Sequence, residues 1–376
     1  MARNPDHQML ARPTHDERAR QDFIGQLKLF SGRTVRPLNR EVFRREAAPA
    51  WEQKHGRPPE TQSEISEAMH DNLHYRSWSA LHRATQEQMW DAVSESLERE
   101  EPRLKQVYHQ LTDSAGKQGS LELDPDFAVP APIDRFAIHL QPGTYALNRA
   151  EDDFMAGALY EAGGALFSKA QGIGTTESKA DVMMRFLDAR FPGFRPTRIL
   201  DMACSAGSSS TPYAMALPDA EVHAIDVGAG LLRYAHARAE ALGVAVHFHQ
   251  RSVADAGFED GSFDLVVSHN AMHELSSAST AAMMKESYRL LKPGGICLHQ
   301  DVPLRYERLP EYDKFEWGWD ELYNGEPFWS TYATNDCESL LRDAGFPDDE
   351  IFVGFADQID KSVKWYVACA RKPEQS

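Results

Sequence analysis

The sequence predicts an α/β protein in which a helical N-terminal region precedes a mostly parallel sheet. Between residues 38 and 112, apolar side chains such as Trp78 and Met89 recur every three or four positions, which is the spacing of an amphipathic helix. After residue 150, short apolar runs alternate with helical segments, the pattern of a parallel sheet with crossover helices. We therefore expect two parts, residues 1–150 and residues 151–376.

The first part is expected to be helical as far as residue 112, with a break at Pro102 because proline removes a backbone donor. Residues 113–150 contain clusters of Gly, Pro and Asp and are predicted to form a surface linker. The apolar stripe of the N-terminal helices carries no group that chemistry requires, and it is predicted to form a core or a dimer interface.

The second part is predicted to contain seven strands, the last two forming an antiparallel hairpin. Strands are expected at residues 198–202, 221–225, 244–250, 263–268, 295–301, 350–355 and 364–370. Helices are expected at residues 208–216, 229–242, 280–291 and 334–344, and Gly345 ends the last of them.

The charge distribution and the cysteines indicate which binding partners and which cellular compartment to expect. The net charge is −17, and it is concentrated in residues 151–376, which hold 20 Lys/Arg against 35 Asp/Glu. This acidic half argues against a nucleic-acid partner, which would need a basic groove. Four scattered cysteines, no apolar run of about 18 residues and no apolar signal-peptide core predict a soluble cytoplasmic protein with reduced thiols and no membrane partner.

A run of small side chains follows the first predicted strand. Asp201 comes at the end of that strand, and residues 203–210 are all Ala, Cys, Ser or Gly. Small residues at the carboxyl end of a strand let the backbone approach a ligand, whose polar groups can meet the N–H groups at the helix start. The alternative is a tight strand–helix turn that binds nothing.

Two further acids follow in the order that a nucleoside site needs. Asp226 ends the second predicted strand, where a carboxylate can accept hydrogen bonds from ribose hydroxyls. Asp255 lies in the loop before the fourth strand and is placed to accept from an adenine amino group. Together with the loop, these acids favour a nucleoside site over an empty turn.

The segments LDMACSAG, VHAID, VADAGFEDGSFDLVVS and LLKPGG make residues 175–371 resemble class I S-adenosylmethionine-dependent methyltransferases, which have a Rossmann-like fold. The chain is most similar to the small-molecule O-methyltransferases. Ala203 and Ser205 stand where that family has two glycines. The resemblance implies S-adenosylmethionine as cofactor, bound by Asp201, Ala203, Ser205, Gly207, Asp226, Val227, Ala254, Asp255, Ser268, His269, Asn270 and Tyr160.

The segment SHNAMHELSS follows the fourth predicted strand, and the resemblance implies His273 as a general base with Glu274 beside it. A histidine suits that role because its ordinary pKa is near neutrality. Two alternatives stay open. His273 packs at the strand end without a chemical role, or His269, His273 and Glu274 hold a metal on one helical face. No further ligand with suitable spacing from these residues stands out in the sequence, so no metal is expected.

Residues 312–336 contain too many aromatic residues for a simple connector, and a Gly-Glu-Pro turn argues against one long helix. We predict a lid or pocket wall for an apolar acceptor, and the alternative is a packing interface with the N-terminal helices or a second subunit. His139 and Tyr145 are further polar groups that could enter the pocket. The residues predicted to contact the acceptor are Trp317, Trp319, Tyr323, Phe328, Trp329 and Tyr332.

The sequence therefore predicts methyl transfer from S-adenosylmethionine to a small molecule, at a hydroxyl or carboxyl oxygen. The resemblance also implies that residues 1–150 dimerise the protein and cap its pocket. N-, C- or S-methylation by proximity stays an alternative, as does a fold without catalysis or one in which the sulfonium is attacked from within its own chain. Loss of His273 would discriminate a base-dependent O-methyltransferase from a proximity enzyme.

Overall fold

The computed structural model describes residues 5–171, 178–361 and 363–374, and its strands form one sheet of eight. The first residues of the resemblance to methyltransferases, 175–177, lie outside the described residues. The strands are β1 (Ser120–Glu122), β2 (Arg198–Met202), β3 (Glu221–Asp226), β4 (His247–Gln250), β5 (Phe263–His269), β6 (Leu291–Asp301), β7 (Ile351–Asp357) and β8 (Lys364–Arg371).

Helices flank the sheet and make up the N-terminal region. They are α1 (His15–Phe30), α2 (Leu38–Val42), α3 (Ala48–His55), α4 (Gln62–His70), α5 (Leu73–Thr112), α6 (Ala131–Arg135), α7 (Met155–Gln171), α8 (Lys179–Arg190), α9 (Ser210–Ala216), α10 (Ala229–Ala241), α11 (Ser277–Leu290), α12 (Glu311–Trp317), α13 (Trp319–Tyr323), α14 (Trp329–Thr334) and α15 (Cys337–Ala344). Shorter π or 3-10 turns are Ser31–Val35, Phe43–Ala47, Ile138–Leu140, Met272–Glu274, Tyr306–Arg308 and Asp348–Glu350.

The strand order is β1-β4-β3-β2-β5-β6-β8-β7. Pairing is parallel from β1 to β6, whereas β8 is antiparallel to both β6 and β7, so the predicted terminal hairpin and the class I methyltransferase topology are confirmed. β2 lies between β3 and β5. The chain therefore crosses from one side of β2 to the other, and the carboxyl ends of the strands border a crevice there.

The prediction of seven strands is wrong by one. Residues 120–122 of the predicted surface linker form β1, which pairs in parallel with β4 through Leu121 and Phe248 among others. Three residues are too few to show the alternation that identifies a strand in a sequence. The linker therefore contributes an edge strand to the sheet.

The central strands are buried on both faces. Leu265, Val266 and Val267 are successive residues of β5, and none of their side chains is exposed. Helices cover both sides of a parallel sheet, so its inner strands are continuous apolar runs rather than alternating ones. This rigid core fixes the positions of the residues at the strand ends.

The predicted break at Pro102 is also wrong, because α5 continues through it from Leu73 to Thr112. A proline inside a helix costs about 3 kcal/mol. Leu97 and Leu104, on either side of Pro102, are fully buried in a cluster with α1 and α7. Burying such side chains contributes roughly 1.5–3 kcal/mol each, which offsets the cost.

The predicted helical N-terminal region is present and packs against α7 and α10. Gly163 of α7 is so close to Trp90 of α5 that an added Cβ would lie 2.2 Å from the indole ring. Glu161 of α7 accepts hydrogen bonds from Tyr234 and Arg238 of α10 inside the protein. The domain boundary near residue 150 stays a prediction.

No helix in the described ranges is both long and apolar enough to cross a membrane. The four cysteines are buried and free. Burial raises the pKa of Cys297 to about 12, so this thiol is protonated at neutral pH. The cysteines therefore act as small apolar core residues.

Candidate active site

Polar side chains gather where the parallel strands end. Asp226, Gln250, His269 and Asp301 are the last residues of β3, β4, β5 and β6, and Asp201 is the last but one of β2. All five are at most 7% exposed. Charged and polar groups buried together at this edge of an open α/β sheet mark it as the place where a ligand binds.

The loop after β2 has an unusual backbone. Ala203, Ser205 and Gly207 have φ angles of 57°, 49° and 72°, so every second residue is left-handed. Such angles cost roughly 1–2 kcal/mol for residues other than glycine, and they recur at functional sites. Ala203 and Ser205 therefore adopt left-handed backbone angles, which glycine would adopt without strain, and their side chains are small enough to leave room beside the loop.

Asp201 has one partner and one free oxygen. Its Oδ2 accepts a hydrogen bond from the Ser210 hydroxyl at 2.6 Å, whereas Oδ1 is buried without a hydrogen-bond partner. Burial raises the pKa of Asp201 to about 7, with Asp226 acting in the same direction. The carboxylate lines a small cavity together with Tyr160 and His269, with about 230 Å³ of empty space that includes open solvent. A buried acceptor without a partner, next to a cavity, is suited to a donor from a ligand.

Asp226 connects the loop to a larger cleft. Its Oδ2 accepts from the Ser205 N–H and its Oδ1 from the Gly228 N–H, both at 2.9 Å. Burial raises the pKa of Asp226 to about 6 despite these two hydrogen bonds. A carboxylate has about four lone-pair positions, so two remain for hydroxyl donors.

The larger cleft holds about 880 Å³ of empty space, including solvent at its mouth. Ala203 and Ser205 line both cavities, so the two are neighbours across the loop. Val227, Ala254 and Asn270, which are predicted to bind the cofactor, line the cleft. The other lining residues are Pro130, Pro132, Ile133, Tyr145, Asp226, Arg251, Ser252, Val253, Ala271, Glu274, Leu275, Ser276, Ser279 and Phe328.

Three residues predicted to bind the cofactor line neither cavity: Asp255, Ser268 and Gly207. Asp255 is exposed, and its Oδ1 accepts from the Gly257 N–H at 3.2 Å. Ser268 is fully buried, with its hydroxyl 2.9 Å from Nδ1 of His299. Gly207 is at the far end of the loop, where an added Cβ would lie 3.1 Å from Cβ of Ala235.

Both ring nitrogens of His269 are engaged away from His273. Nε2 lies 3.1 Å from the Tyr213 hydroxyl and Nδ1 lies 3.3 Å from Oε1 of Gln300. Burial lowers the pKa of His269 to about 3, so the ring is neutral. The structure does not bring His269 together with His273 and Glu274, as the metal alternative in the sequence required.

His273 lies in the 3-10 turn Met272–Glu274 and is bound tightly to Asp301. Its Nδ1 is 2.6 Å from Asp301 Oδ1, and its backbone N–H donates to Oδ2 of the same carboxylate. Burial alone would lower the pKa of His273, but Asp301, Glu326 and Glu274 raise it to about 9. When the ring is neutral, the bond from Nδ1–H leaves the lone pair on Nε2.

Nε2 of His273 faces a second histidine through Glu274. Glu274 Oε1 lies 3.7 Å from His273 Nε2 and 3.4 Å from His139 Nε2, and it accepts from the Tyr145 hydroxyl at 3.1 Å. His139 Nδ1 in turn lies 2.6 Å from Oε1 of Glu326. Burial lowers the pKa of His139, but Glu326 and Glu274 raise it to about 10. Glu274 lines the cleft, and the two histidines lie behind it.

The long helix α5 holds His139 in a strained turn. His139 and Leu140 have φ angles of 54° and 60°. Gln86 Nε2 and Trp90 Nε1 donate hydrogen bonds to the His139 carbonyl at 2.8 and 2.7 Å. The sequence gives little basis for placing His139 and Tyr145 in the pocket, because no periodicity or spacing relates them to the strand ends.

Glu326 has no signal in the sequence except that it lies in the Gly-Glu-Pro turn. Gly325 before it has a φ angle of 70°, and an added Cβ would lie 2.3 Å from the Ala137 carbonyl oxygen. This close approach brings Glu326 against the turn that carries His139. Glu326 is 1% exposed, and its Oε2 has no hydrogen-bond partner.

Part of the aromatic segment, residues 312–336, lies at the site. Phe328 lines the cleft. The rings of Trp329 and Tyr332 meet His273 edge-on, with centroids 5.6 and 6.1 Å from its ring. Aromatic rings around an imidazole exclude water from it.

The other half packs on the N-terminal helices. The ring of Trp319 packs at a tilt of 50° against that of Trp78, and its Nε1 donates to the Ser79 hydroxyl at 2.7 Å. Tyr323 packs against the same cluster. Trp317 is 39% exposed and lies 6.3 Å from Trp329. The pocket-wall and packing interpretations of residues 312–336 therefore each describe part of the segment.

Residues 199–295 match the family model described as a methyltransferase domain. The matched range includes the 201–207 loop, Asp226 and His273. At the level of this domain, the match confirms the prediction of a class I methyltransferase that uses S-adenosylmethionine.

Curated relatives match part of the chain. An arsenite methyltransferase of Aquipseudomonas alcaligenes is 29% identical over 163 residues, covering 41% of this chain and 45% of its own length. A demethylmenaquinone methyltransferase of Thermus thermophilus is 34% identical over 108 residues, covering 29% and 48%. The chain thus spans less than half the length of these two relatives, whose names give different acceptors.

Solved structures are similar to about half of the chain at low identity. Phosphoethanolamine N-methyltransferase 2 of Haemonchus contortus, in complex with S-adenosyl-L-methionine, has a TM-score of 0.41 and 18% identity, covering 51% of this chain and 52% of its own. An O-methyltransferase family protein of Burkholderia thailandensis has a TM-score of 0.40 and 18% identity, covering 57% and 61%. The O-methyltransferase specificity of this chain stays a prediction.

Proposed function

We propose that this protein transfers the methyl group of S-adenosylmethionine to an oxygen of a small molecule bound in the larger cleft. The observation that carries the proposal is the arrangement around Asp226. Its carboxylate is buried, joins the left-handed loop to the cleft and keeps two free lone-pair positions for hydroxyl groups. The Asp301–His273 pair, which can accept and release a proton, lies at the same edge of the sheet.

The two neighbouring cavities fit the two ends of the cofactor. Asp226 would accept from the ribose hydroxyls, with Val227 and Ala254 flanking the base. The free Oδ1 of Asp201 would accept from the amino group of the methionine end in the small cavity, near Tyr160. The backbone of the loop separates these two positions and would lie against the cofactor between them.

Bound S-adenosylmethionine would supply an electrophilic methyl carbon on a positively charged sulfur, which would keep the electron pair of the C–S bond and leave as a neutral thioether. Glu274 lines the cleft and orients the acceptor hydroxyl. His273 Nε2 lies 3.7 Å behind Glu274 and is free of a proton only above the His273 pKa of about 9. In that form it would take the hydroxyl proton by way of the Glu274 carboxylate, and Asp301 would stabilise the imidazolium that results. Holding the acceptor oxygen in line with the methyl group would contribute the rest of the rate enhancement.

The lining of the cleft favours an acceptor with an apolar body, because Pro130, Pro132, Ile133 and Phe328 form an apolar wall. The charged groups of the lining are the carboxylates of Asp226 and Glu274 and the guanidinium of Arg251, so a polar acceptor meets both signs of charge. Since the wall comes partly from residues 113–150, the N-terminal part caps the cleft.

The test is methyl transfer by the purified protein to a panel of phenols, carboxylic acids and amines, with products identified by mass spectrometry. The proposal predicts O-methylated products from a panel member and a loss of about 10²–10⁴-fold in turnover for His273→Ala, the range for a missing proton acceptor. N-, C- or S-methylated products, with turnover nearly unchanged in His273→Ala, would instead establish the proximity alternative.

We also propose that the protein is a homodimer joined by its N-terminal helices. Phe23, Phe30, Leu38 and Leu73 are apolar residues of this region and are 50–79% exposed. Several exposed apolar side chains in one region are typical of an interaction surface. The cytoplasmic location stays a prediction from the sequence.

A further inference from the structure

Three potential ligand atoms converge behind the cleft. One nitrogen each from His139 and His273 and one carboxylate oxygen of Glu274 all lie within 4.8 Å of one another. The residues come from two distant parts of the chain, the turn after α6 and the turn after β5. Their convergence therefore results from the tertiary fold and not from local sequence.

The distances fit an ion better than direct hydrogen bonds. Glu274 Oε1 lies 3.4 Å from Nε2 of His139 and 3.7 Å from Nε2 of His273. Hydrogen bonds between nitrogen and oxygen are typically about 2.7–3.2 Å long. Two ligand atoms that are each about 2.1 Å from one tetrahedral ion lie about 3.4 Å apart.

Each imidazole has a carboxylate on its other nitrogen. Asp301 lies 2.6 Å from Nδ1 of His273, and Glu326 lies 2.6 Å from Nδ1 of His139. Both carboxylates are buried. Histidines that bind a metal almost always donate their second N–H to such a partner, which directs the lone pair of the first nitrogen at the ion. His273 has this hydrogen bond to Asp301, whereas Glu326 lies beside Nδ1 of His139 as an ion-pair partner without hydrogen-bond geometry.

The cluster has an excess of negative charge. Its three carboxylates belong to Glu274, Asp301 and Glu326, and within the described residues their ion pairs are with His139 and His273 alone. Buried carboxylates are normally paired or bound to a cation. With both imidazoles neutral, a divalent ion would compensate two of the three charges.

We propose that His139, His273 and Glu274 bind one divalent transition-metal ion. Two imidazoles and one carboxylate suit zinc, cobalt, manganese or iron, whereas magnesium and calcium prefer oxygen ligands alone. Three protein ligands leave at least one position open, and Glu274 is the ligand that lines the cleft. That position would receive an oxygen of the acceptor.

The ion would change the role of His273 in the proposed function. A lone pair of Nε2 that coordinates a metal cannot also take a proton, so His273 is then a ligand and not a base. The ion would hold the acceptor oxygen and lower the pKa of its hydroxyl. Only this last role rests on the proposed function, because metal binding requires neither cofactor nor acceptor.

The experiment is calorimetric titration of chelator-treated full-length protein with Zn²⁺ and Co²⁺, with Mg²⁺ as the hard-cation probe. We expect one Zn²⁺ or Co²⁺ per chain, visible absorption bands for the cobalt protein and no saturation by Mg²⁺. Glu274→Gln should weaken zinc binding at least tenfold, and His139→Phe should abolish it. His247→Ala should bind as the native protein does, because His247 belongs to a separate histidine cluster on β3 and β4.

No saturable zinc or cobalt binding by the native protein would overturn the inference. So would binding that is unchanged in both Glu274→Gln and His139→Phe, or lost in His247→Ala instead. Circular dichroism checks the folding of each variant. If His139→Phe does not fold, the result for Glu274→Gln, which keeps the shape of the side chain, decides the test. A parallel titration with S-adenosylmethionine separates the two proposals, since either ligand can bind without the other.

Discussion

Single residues set the shape of the cofactor loop. The left-handed angles at positions 203, 205 and 207 alternate with ordinary ones, which turns successive N–H groups toward one side. Ala203 and Ser205 adopt the angles of the glycines that they replace. The sequence alone could not establish this, because the backbone angle of a small residue is set by its surroundings.

Replacing Ala203 or Ser205 by glycine should be nearly neutral for stability. The change relieves roughly 1–2 kcal/mol of backbone strain, and the greater freedom of glycine in the unfolded chain removes about 0.5–1 kcal/mol of that gain. We expect S-adenosylmethionine to bind at least as tightly as to the native protein, whereas Ala203→Val should bind it more weakly because its branched side chain enters both cavities. The measurements are melting temperature and calorimetry.

Ala206→Gly is the matched control for the glycine variants. Ala206 is fully buried and its φ angle is not positive, so glycine there relieves no strain and leaves a small void. It should lower the melting temperature. Equal destabilisation of all three glycine variants would contradict the strain at positions 203 and 205.

Asp201 should make stability depend on pH. Its folded pKa of about 7 lies above the ordinary value of 3.8, so the folded state binds the proton more tightly and loses stability as pH rises from about 4 to about 7. Asp201→Asn should therefore raise the free energy of unfolding by on the order of 2 kcal/mol at pH 8 and much less at pH 4. It should also weaken S-adenosylmethionine binding, because the free oxygen is lost.

Denaturant titrations of Asp201→Asn at the two pH values measure this effect, and exposed Asp255→Asn is the control. A variant that is less stable than the native protein at pH 8 would show that the buried carboxylate is not costly. An unchanged affinity for S-adenosylmethionine would remove Asp201 from the cofactor site.

Residues beside strand ends were predictable, and residues brought in by loops were not. Asp201 and Asp226 lie in the last two residues of apolar strands and His273 lies in the turn after β5, so their place at the sheet edge follows from the pattern. His139 and Glu326 reach the same place only because turns pack against each other. Long-range packing of this kind leaves no periodicity in a single sequence.

At the scale of elements, the close contact at Gly325 joins two turns of the site. An added Cβ at Gly325 would lie 2.3 Å from the Ala137 carbonyl oxygen, and the φ angle of 70° strains any other residue. Gly325→Ala should cost about 1–3 kcal/mol of stability. It should also lower turnover by moving Glu326 away from His139, while leaving S-adenosylmethionine binding intact.

Gly56→Ala is the matched control, since Gly56 has a φ angle of 76° but nothing within 4 Å of an added Cβ. The difference between the two variants in thermal unfolding isolates the contact with Ala137 from the backbone strain. Equal effects of the two substitutions on stability and turnover would contradict a role for that contact.

The two errors in the elements predicted from the sequence have physical reasons. β1 is only three residues long and exists because β4 offers it an edge. α5 passes Pro102 because side chains on both sides of it are buried by other helices. Tertiary contacts decide both cases, whereas the central strands and their helices followed from apolar runs alone.

At the scale of the whole molecule, the N-terminal helices belong to the active site. α5 holds the His139 carbonyl through Gln86 and Trp90, and it holds Trp319 through Ser79. One helix thus contacts both the turn that carries His139 and the half of residues 312–336 that packs on the N-terminal helices. Removing the N-terminal region would therefore disturb the acceptor site as well as the core.

The exposed face of α1 should mediate dimerisation. Phe23 and Phe30 lie seven residues apart on this helix, two turns along one face, and are 66% and 51% exposed. Size-exclusion chromatography with light scattering should give a dimer for the native protein and a monomer for the double variant Phe23→Glu, Phe30→Glu. A native monomer, or a dimer that survives both substitutions, would contradict this interface.

The central claim is that the 201–207 loop and Asp226 hold S-adenosylmethionine, and calorimetric titration of the native protein and of Asp226→Ala tests it most directly. Two hydrogen bonds to a charged group contribute about 1.5–3 kcal/mol each, so the variant should bind at least about 100-fold more weakly. The account predicts saturable binding of S-adenosylmethionine and S-adenosylhomocysteine by the native protein and loss of both in the variant. No binding by the folded native protein, or equal binding by Asp226→Ala, would contradict it.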